Sequence, residues 1–285
     1  MGWVLKIFVW IVFALLLTAF PASVSSTKQR YRLIAVITYS IIAINVLIFL
    51  IMVFGSIFSD PGFYSSVINS WGFVPYYFLN PLASGIRNPF GIFGTYLTLI
   101  TSLFLHGGFF HILGNMYYLH LFGPDIETGQ NIKFYGRSQR GYNSLYPFAF
   151  FYILCGVGAT MAHTVVFGLT EVGKIVLIGA SGAISGVLAA FLCRFWKDYR
   201  KITLYILFFF RKTFSANLYL LFWIVLQLAL AVYYGKETSV SYVAHLGGVI
   251  AGITLSIFVF PWTDIIIKSG TRSWFGKRVK TSSYT

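Results

Sequence analysis

Charge is scarce in this chain of 285 residues: 10% of them are charged, where a soluble domain carries about a quarter. Acidic side chains are scarcer still, seven against 21 lysines and arginines. The two cysteines, Cys155 and Cys193, are spaced neither to each other nor to histidine in a way that supports a disulfide framework or a zinc site. Both read as small buried apolar residues. No His-Glu-x-x-His pattern occurs, which removes the metal-dependent proteases that use it, and no cofactor is expected. Alternating ten-residue strands are missing, which argues against a membrane β-barrel. Neither an internal repeat nor a low-complexity stretch is visible.

What the chain has instead is apolar length. Hydrophobic residues make up 58% of it and gather in seven blocks: Trp3–Phe20, Leu33–Phe58, Tyr96–Phe122, Pro147–Phe167, Ile175–Phe195, Ala216–Tyr234 and Tyr242–Trp262. Several reach the roughly 20 residues that cross a bilayer. Only helices and closed barrels satisfy their backbone in lipid, so the expected fold is an all-α polytopic membrane bundle. An eighth run, Ile202–Phe210, is too short to span and is expected at the interface.

The net charge of +14 falls between the apolar blocks, so it reads as topology signal and lipid-headgroup contact rather than as a nucleic-acid surface. Placing Lys28, Arg30 and Arg32 inside puts 17 of the 21 basic residues on the cytoplasmic side; only Lys6, Arg87, Lys174 and Lys236 fall outside. The C-terminus is then cytoplasmic. The first block, followed by Ala22-Ser23-Val24-Ser25-Ser26, admits a cleaved signal peptide or a retained helix. Cleavage would leave three basic residues outside, so a retained extra helix is preferred. The division expected is residues 1–26 as this segment, 27–263 as a six-helix core and 264–285 as a basic tail. Between the second and third blocks, residues 59–94 carry Pro61, Pro75, Pro81 and Pro89 among many aromatics. They read either as an element lying on the outer leaflet or as an aromatic-rich surface loop.

Function is sought among polar groups inside the spans, where they are costly. The seven carboxylates all lie in loops or near span ends, which weakens a proton- or cation-coupled transporter. The five histidines lie in or beside spans, and three clusters stand out. In the first, His111 and Asn115 are four apart on one helix face. They read as donors to a developing oxyanion or as interhelical glue. In the second, Gly179-Ala180-Ser181-Gly182-Ala183-Ile184-Ser185-Gly186, Gly182 and Gly186 form a small-residue contact stripe, and Ser181 on its own reads as a packing serine. In the third, His245, Gly248 and Gly252 make one stripe.

Two glycine stripes, one carrying a serine and one a histidine, are natural packing partners. Ser181 lies roughly 9 Å and His245 roughly 5 Å into their blocks, at the helical rise per residue. His111 falls about 12 Å below the outer face of a hydrocarbon core about 30 Å thick. The three elements are expected to converge in the outer half of the membrane. A serine hydroxyl needs a base to become a nucleophile, and His245 can take that proton. With no acidic residue at this depth a Ser–His dyad is expected, the ring held by a backbone carbonyl or a neighbouring side chain. His111, Asn115 and the Ser181 N–H are the expected oxyanion donors.

These clusters, in this order, resemble the rhomboid intramembrane proteases: His106…His111…Asn115, Gly179-Ala180-Ser181-Gly182, and Ala244-His245-Leu246-Gly247-Gly248. The resemblance runs from about Ile34 to Phe260. It implies a six-helix core, Ser181 as nucleophile, His245 as general base, His111 and Asn115 on the oxyanion side, and Gly179 beside the hole. It also implies single-span membrane proteins as substrates, cut near the outer face, with small residues before the scissile bond. Two departures stand out. No Trp-Arg pair occurs in the first outer loop, and Ser185 occupies the place where some members carry a tyrosine that packs on the histidine. Ring positioning then falls to another group, such as Tyr242. His120 and His163 read as packing or interfacial residues. The main rival reading keeps the fold and drops the activity, giving a catalytically silent client-binding protein.

Overall fold

A computed structural model of the chain describes residues 19–24, 35–84, 90–127, 145–196, 200–206, 210–234 and 241–259. Six helices form the bundle. They are α1 (Val36–Phe58), α5 (Phe109–Glu127), α6 (Leu145–Phe167), α7 (Ser181–Arg194), α8 (Ala216–Tyr234) and α9 (Tyr242–Thr254), the last continuing as a π-helical turn over Leu255–Val259. Between α1 and α5 lie α2 (Phe63–Trp71), α3 (Pro75–Leu79) and α4 (Gly91–Thr101). α1, Pro147–Phe167 within α6, and α8 are each long and apolar enough to cross a membrane, and α4 with α5 makes a fourth if that bent pair counts as one. α7 lies at the centre, its Ala183, Val187, Ala190 and Phe191 fully buried in one core cluster with Phe122, Phe151, Tyr152 and Cys155. α1 and α8 lie outermost, with Leu47, Phe54, Leu218, Val225 and Leu228 exposed as lipid-facing residues would be.

Several expectations need correction. The block Tyr96–Phe122 is not one continuous helix: it bends by 77° between α4, extended by a 3-10 turn over Ser102–Phe104, and α5. The Gly107-Gly108 pair lies in that bend, where two residues of low helix propensity adjoin. The block Ile175–Phe195 turns helical only at Ser181, because Gly179 sits at φ +116°, a conformation that ends rather than starts a helix. Ser181 is therefore the first residue of its helix, not a residue more than one turn in.

The short run expected at the interface is instead part of a sheet. β1 (Ala19–Val24), β2 (Lys201–Ile206) and β3 (Phe210–Ser215) pair antiparallel in the order β1-β2-β3. The alternation Lys201-Ile202-Thr203-Leu204 has the period of a strand, with Ile202 and Leu204 turned into the core. β1 also replaces the end of the N-terminal segment read as helix; residues 3–18 lie outside the described residues, as do the loop with Lys133, Arg137 and Arg140 and the tail 264–285. Residues 59–84, the described part of the outer segment apart from the start of α4, are largely helical. They are tied to the stretch before α7 by an antiparallel bridge between Phe73 and Leu177. Cys155 is buried as expected, but Cys193, in the last turn of α7, is exposed.

Two carboxylates at the end of α5 are buried and occupied. Glu127 accepts hydrogen bonds from Ile37 N–H (2.9 Å), Thr38 N–H (2.8 Å) and Thr38 Oγ1 (2.7 Å), capping the start of α1. Asp125 pairs with Arg200 at 2.9 Å, each 8% exposed. Sequence had placed these groups near a span end, and there they serve packing.

Candidate active site

The stretch that feeds α7 is pinned before the helix begins. Gly179 donates its N–H to the Ser102 carbonyl at 2.9 Å. At φ +116° it turns the chain so that Ser181 opens the helix beside backbone N–H groups that have no intrahelical acceptor. A Cβ at Gly179 would stand 2.8 Å from His111 Nε2 and 3.7 Å from Asn115 Nδ2, so both side chains lie directly over this turn. The Gly107 N–H donates to His111 Nδ1 at 3.3 Å. That leaves the proton on Nε2, the nitrogen that faces Gly179. Asn115 Nδ2 is buried and has no hydrogen-bond partner among the described residues.

His245 is placed by the first turn of α9. Ser241 caps that helix, its Oγ accepting from Ala244 N–H at 3.1 Å, and the same Oγ lies 2.5 Å from His163 Nδ1. The glycine stripes then bring α9 onto α7. A Cβ at Gly252 would lie 2.6 Å from Gly186 Cα, and one at Gly248 would overlap the Gly182 carbonyl. α6 joins them through small residues: a Cβ on Gly158 would meet that of Ala251 at 2.7 Å, and one on Gly182 that of Ala159 at 2.5 Å. This backbone-to-backbone packing sets His245 Nε2 2.9 Å from Ser181 Oγ.

The other face of the ring is occupied by a residue the sequence reading passed over. His245 Nδ1 lies 2.8 Å from Gln227 Oε1. A carboxamide oxygen only accepts, so Nδ1 carries the proton and Nε2 presents its lone pair to the Ser181 hydroxyl. Trp223 and Tyr242 flank the ring at centroid distances of 6.2 and 6.3 Å. Tyr242 is thus beside the histidine, while the hydrogen bond that orients it comes from α8. The signal was present: Gln227 is a carboxamide in the middle of an otherwise apolar span, where polar groups seek partners on neighbouring helices. Ser185 directs its hydroxyl back to the Ser181 carbonyl at 2.7 Å and so does not reach the ring.

The remaining histidines sort themselves by place. His106 is fully buried 5.1 Å from His111, ring centroid to ring centroid, and its carbonyl accepts a hydrogen bond from the Tyr64 hydroxyl. His163 is the buried partner of the α9 cap. His120 is exposed, its ring 5.8 Å from that of Tyr39. An imidazole at hydrogen-bond distance from a hydroxyl can draw off its proton, and donors fixed around the same turn can hold a negative oxygen.

A polytopic helical membrane bundle with this arrangement at its centre is the class the fold defines. The model of the Rhomboid domain matches residues 94–262, more than half of the chain. Among relatives, RHOMBOID-like protein 1 of Arabidopsis thaliana is 30% identical over 162 residues, covering 57% of this chain and 34% of that one. RHOMBOID-like protein 5 of the same plant is 29% identical, covering 55% and 42%, and RHOMBOID-like protein 6, mitochondrial, is 27% identical, covering 56% and 43%. The matched stretch is thus well under half the length of each relative. This chain belongs to the rhomboid family.

Proposed function

We propose that the chain is a serine endopeptidase that cuts peptide bonds of single-span membrane proteins within the bilayer. The observation that carries this is the 2.9 Å approach of His245 Nε2 to Ser181 Oγ at the start of α7, with a tautomer that leaves the nitrogen free to accept. In the proposed reaction Ser181 Oγ attacks the scissile carbonyl carbon as its proton passes to His245 Nε2. The oxyanion is met by the Ser181 N–H, His111 Nε2–H and Asn115 Nδ2–H. His245 returns the proton to the leaving amine, and water hydrolyses the acyl-enzyme by the same route. Residues 27–263 form the protease core of this reading, with the C-terminus in the cytoplasm as the basic residues direct.

The test uses the full chain, purified in detergent and exposed to a fluorophosphonate probe beside Ser181→Ala and His245→Ala, followed by cleavage of a single-span protein in reconstituted vesicles. Labelling and cleavage by the native chain alone, with all three proteins folded, is the expected result. Absence of both in a folded native chain would replace this reading with a catalytically silent protein that binds membrane clients.

A further inference from the structure

We infer that Gln227 is the positioning residue of a Ser181–His245–Gln227 relay, holding the imidazole by its Nδ1–H so that Nε2 stays aimed at the hydroxyl. The inference rests on the protease reading above and adds a third member to the dyad. Gln227 is 6% exposed on a helix whose neighbouring Val225 and Leu228 are exposed and apolar. α8 has other polar anchors: Asn217 Nδ2 donates to the Phe195 and Trp196 carbonyls at 2.9 Å, and the Tyr219 hydroxyl meets that of Tyr118 at 2.5 Å. Both lie near the start of α8, and Gln227 stands about 12 to 15 Å further along it at the helical rise. Attachment of the helix alone does not require a carboxamide at that level, nor one whose oxygen is 2.8 Å from the ring nitrogen opposite the serine.

The partner of Nδ1 is uncharged. Among the described residues, the ionisable groups around His245 are Tyr242 on its own helix, Tyr234 stacked on Tyr242 from α8, and His111 on α5. α6 approaches through His163, which is engaged with Ser241, and α7 offers only the serines. No carboxylate faces the ring among the described residues. Trp223, one turn before Gln227, packs beside the ring while Gln227 holds its edge, so α8 fixes both tilt and tautomer. During acyl transfer the Ser181 proton moves to Nε2 and from there to the leaving amine. The Nδ1 proton never leaves Nδ1, and Gln227 Oε1 accepts a hydrogen bond without taking a proton.

The experiment measures fluorophosphonate labelling rate against pH for the full-length native chain, Gln227→Leu and Gln227→Glu, with Ser181→Ala as blank and the unfolding temperature of each. Gln227→Leu is expected to unfold no lower than the native chain, since leucine suits a span, yet to label about tenfold to a hundredfold more slowly as the ring loses its orientation. Gln227→Glu is expected to retain labelling with its acidic limb moved to higher pH, because an adjacent carboxylate favours the protonated ring. Native-like rate and pH profile in both variants would overturn the relay and leave the dyad standing. A folded native chain that labels no better than Ser181→Ala would overturn both.

Discussion

Gly248 of α9 rests on the backbone of Gly182 of α7 so closely that a methyl group at position 248 would occupy the space of the Gly182 carbonyl oxygen. The distance between the serine and the histidine is set here, by backbone rather than by side chains. Gly248→Val is expected to lower stability by about 1–3 kcal/mol, the usual cost of overpacking, and to abolish probe labelling by separating the two helices. Gly114→Ala on α5, where an added Cβ meets nothing within 4 Å, should leave both unchanged or raise the unfolding temperature slightly. Thermal unfolding in detergent alongside labelling checks the pair; equal effects from both glycines would contradict the contact.

The donors over Gly179 make a kinetic prediction. His111→Ala and Asn115→Ala should each lower kcat by about a hundredfold or more with little change in KM, as expected for donors used mainly in the transition state. Asn115→Ala should not lower the unfolding temperature, because its Nδ2 gives up no hydrogen bond to any of the described residues. A large loss of stability without a kinetic effect would assign both residues to helix attachment. Gly179→Ala should be as inactive as either, since its Cβ would press on His111 Nε2 at 2.8 Å.

Ser241 has two roles at the head of α9, capping the helix and meeting His163. Ser241→Ala is expected to cost about 1 kcal/mol for the cap and a further 1–3 kcal/mol for the buried imidazole left without its partner. In the double variant Ser241→Ala with His163→Leu the loss should be less than the sum of the two single losses. Strict additivity in unfolding measurements would show that the two side chains act independently.

At the opposite end of the bundle, Arg200→Met should destabilise by about 3 kcal/mol or more by leaving the Asp125 carboxylate buried without its guanidinium. Adding Asp125→Asn should restore part of that loss. If the double variant unfolds at or below the single one, the pair is not the source of the effect.

Much of this was readable from the chain. Long apolar runs separated by lysine and arginine mark helices in lipid. Small residues at intervals of three and four mark where two helices touch, so the Ser181 and His245 stripes stood out as natural packing partners, with depth along the spans adding to the case. Hydrophobicity does not report rotation about a helix axis, and so Gln227, visible as an odd polar residue, could not be assigned to the imidazole it faces. Nor does it report bends within an apolar run, which is why Tyr96–Phe122 read as one unbroken block although it bends by 77° where Gly107-Gly108 lies. The sheet was missed for a related reason: the run Ile202–Phe210 was judged by its length, while the alternation that defines β2 begins one residue earlier, at Lys201.

Glu127 gives the bundle an order of assembly. α1 begins without a side-chain cap of its own, Ala35 having no side-chain oxygen to offer, and its first N–H groups are met by a carboxylate 89 positions later in the chain. As the chain emerges, α1 can enter the membrane early on hydrophobicity, with interfacial water serving those groups. Its final seat has to wait for the end of α5. α1 is thus made early and fastened late, and a nascent chain halted short of Glu127 would hold it inserted but undocked.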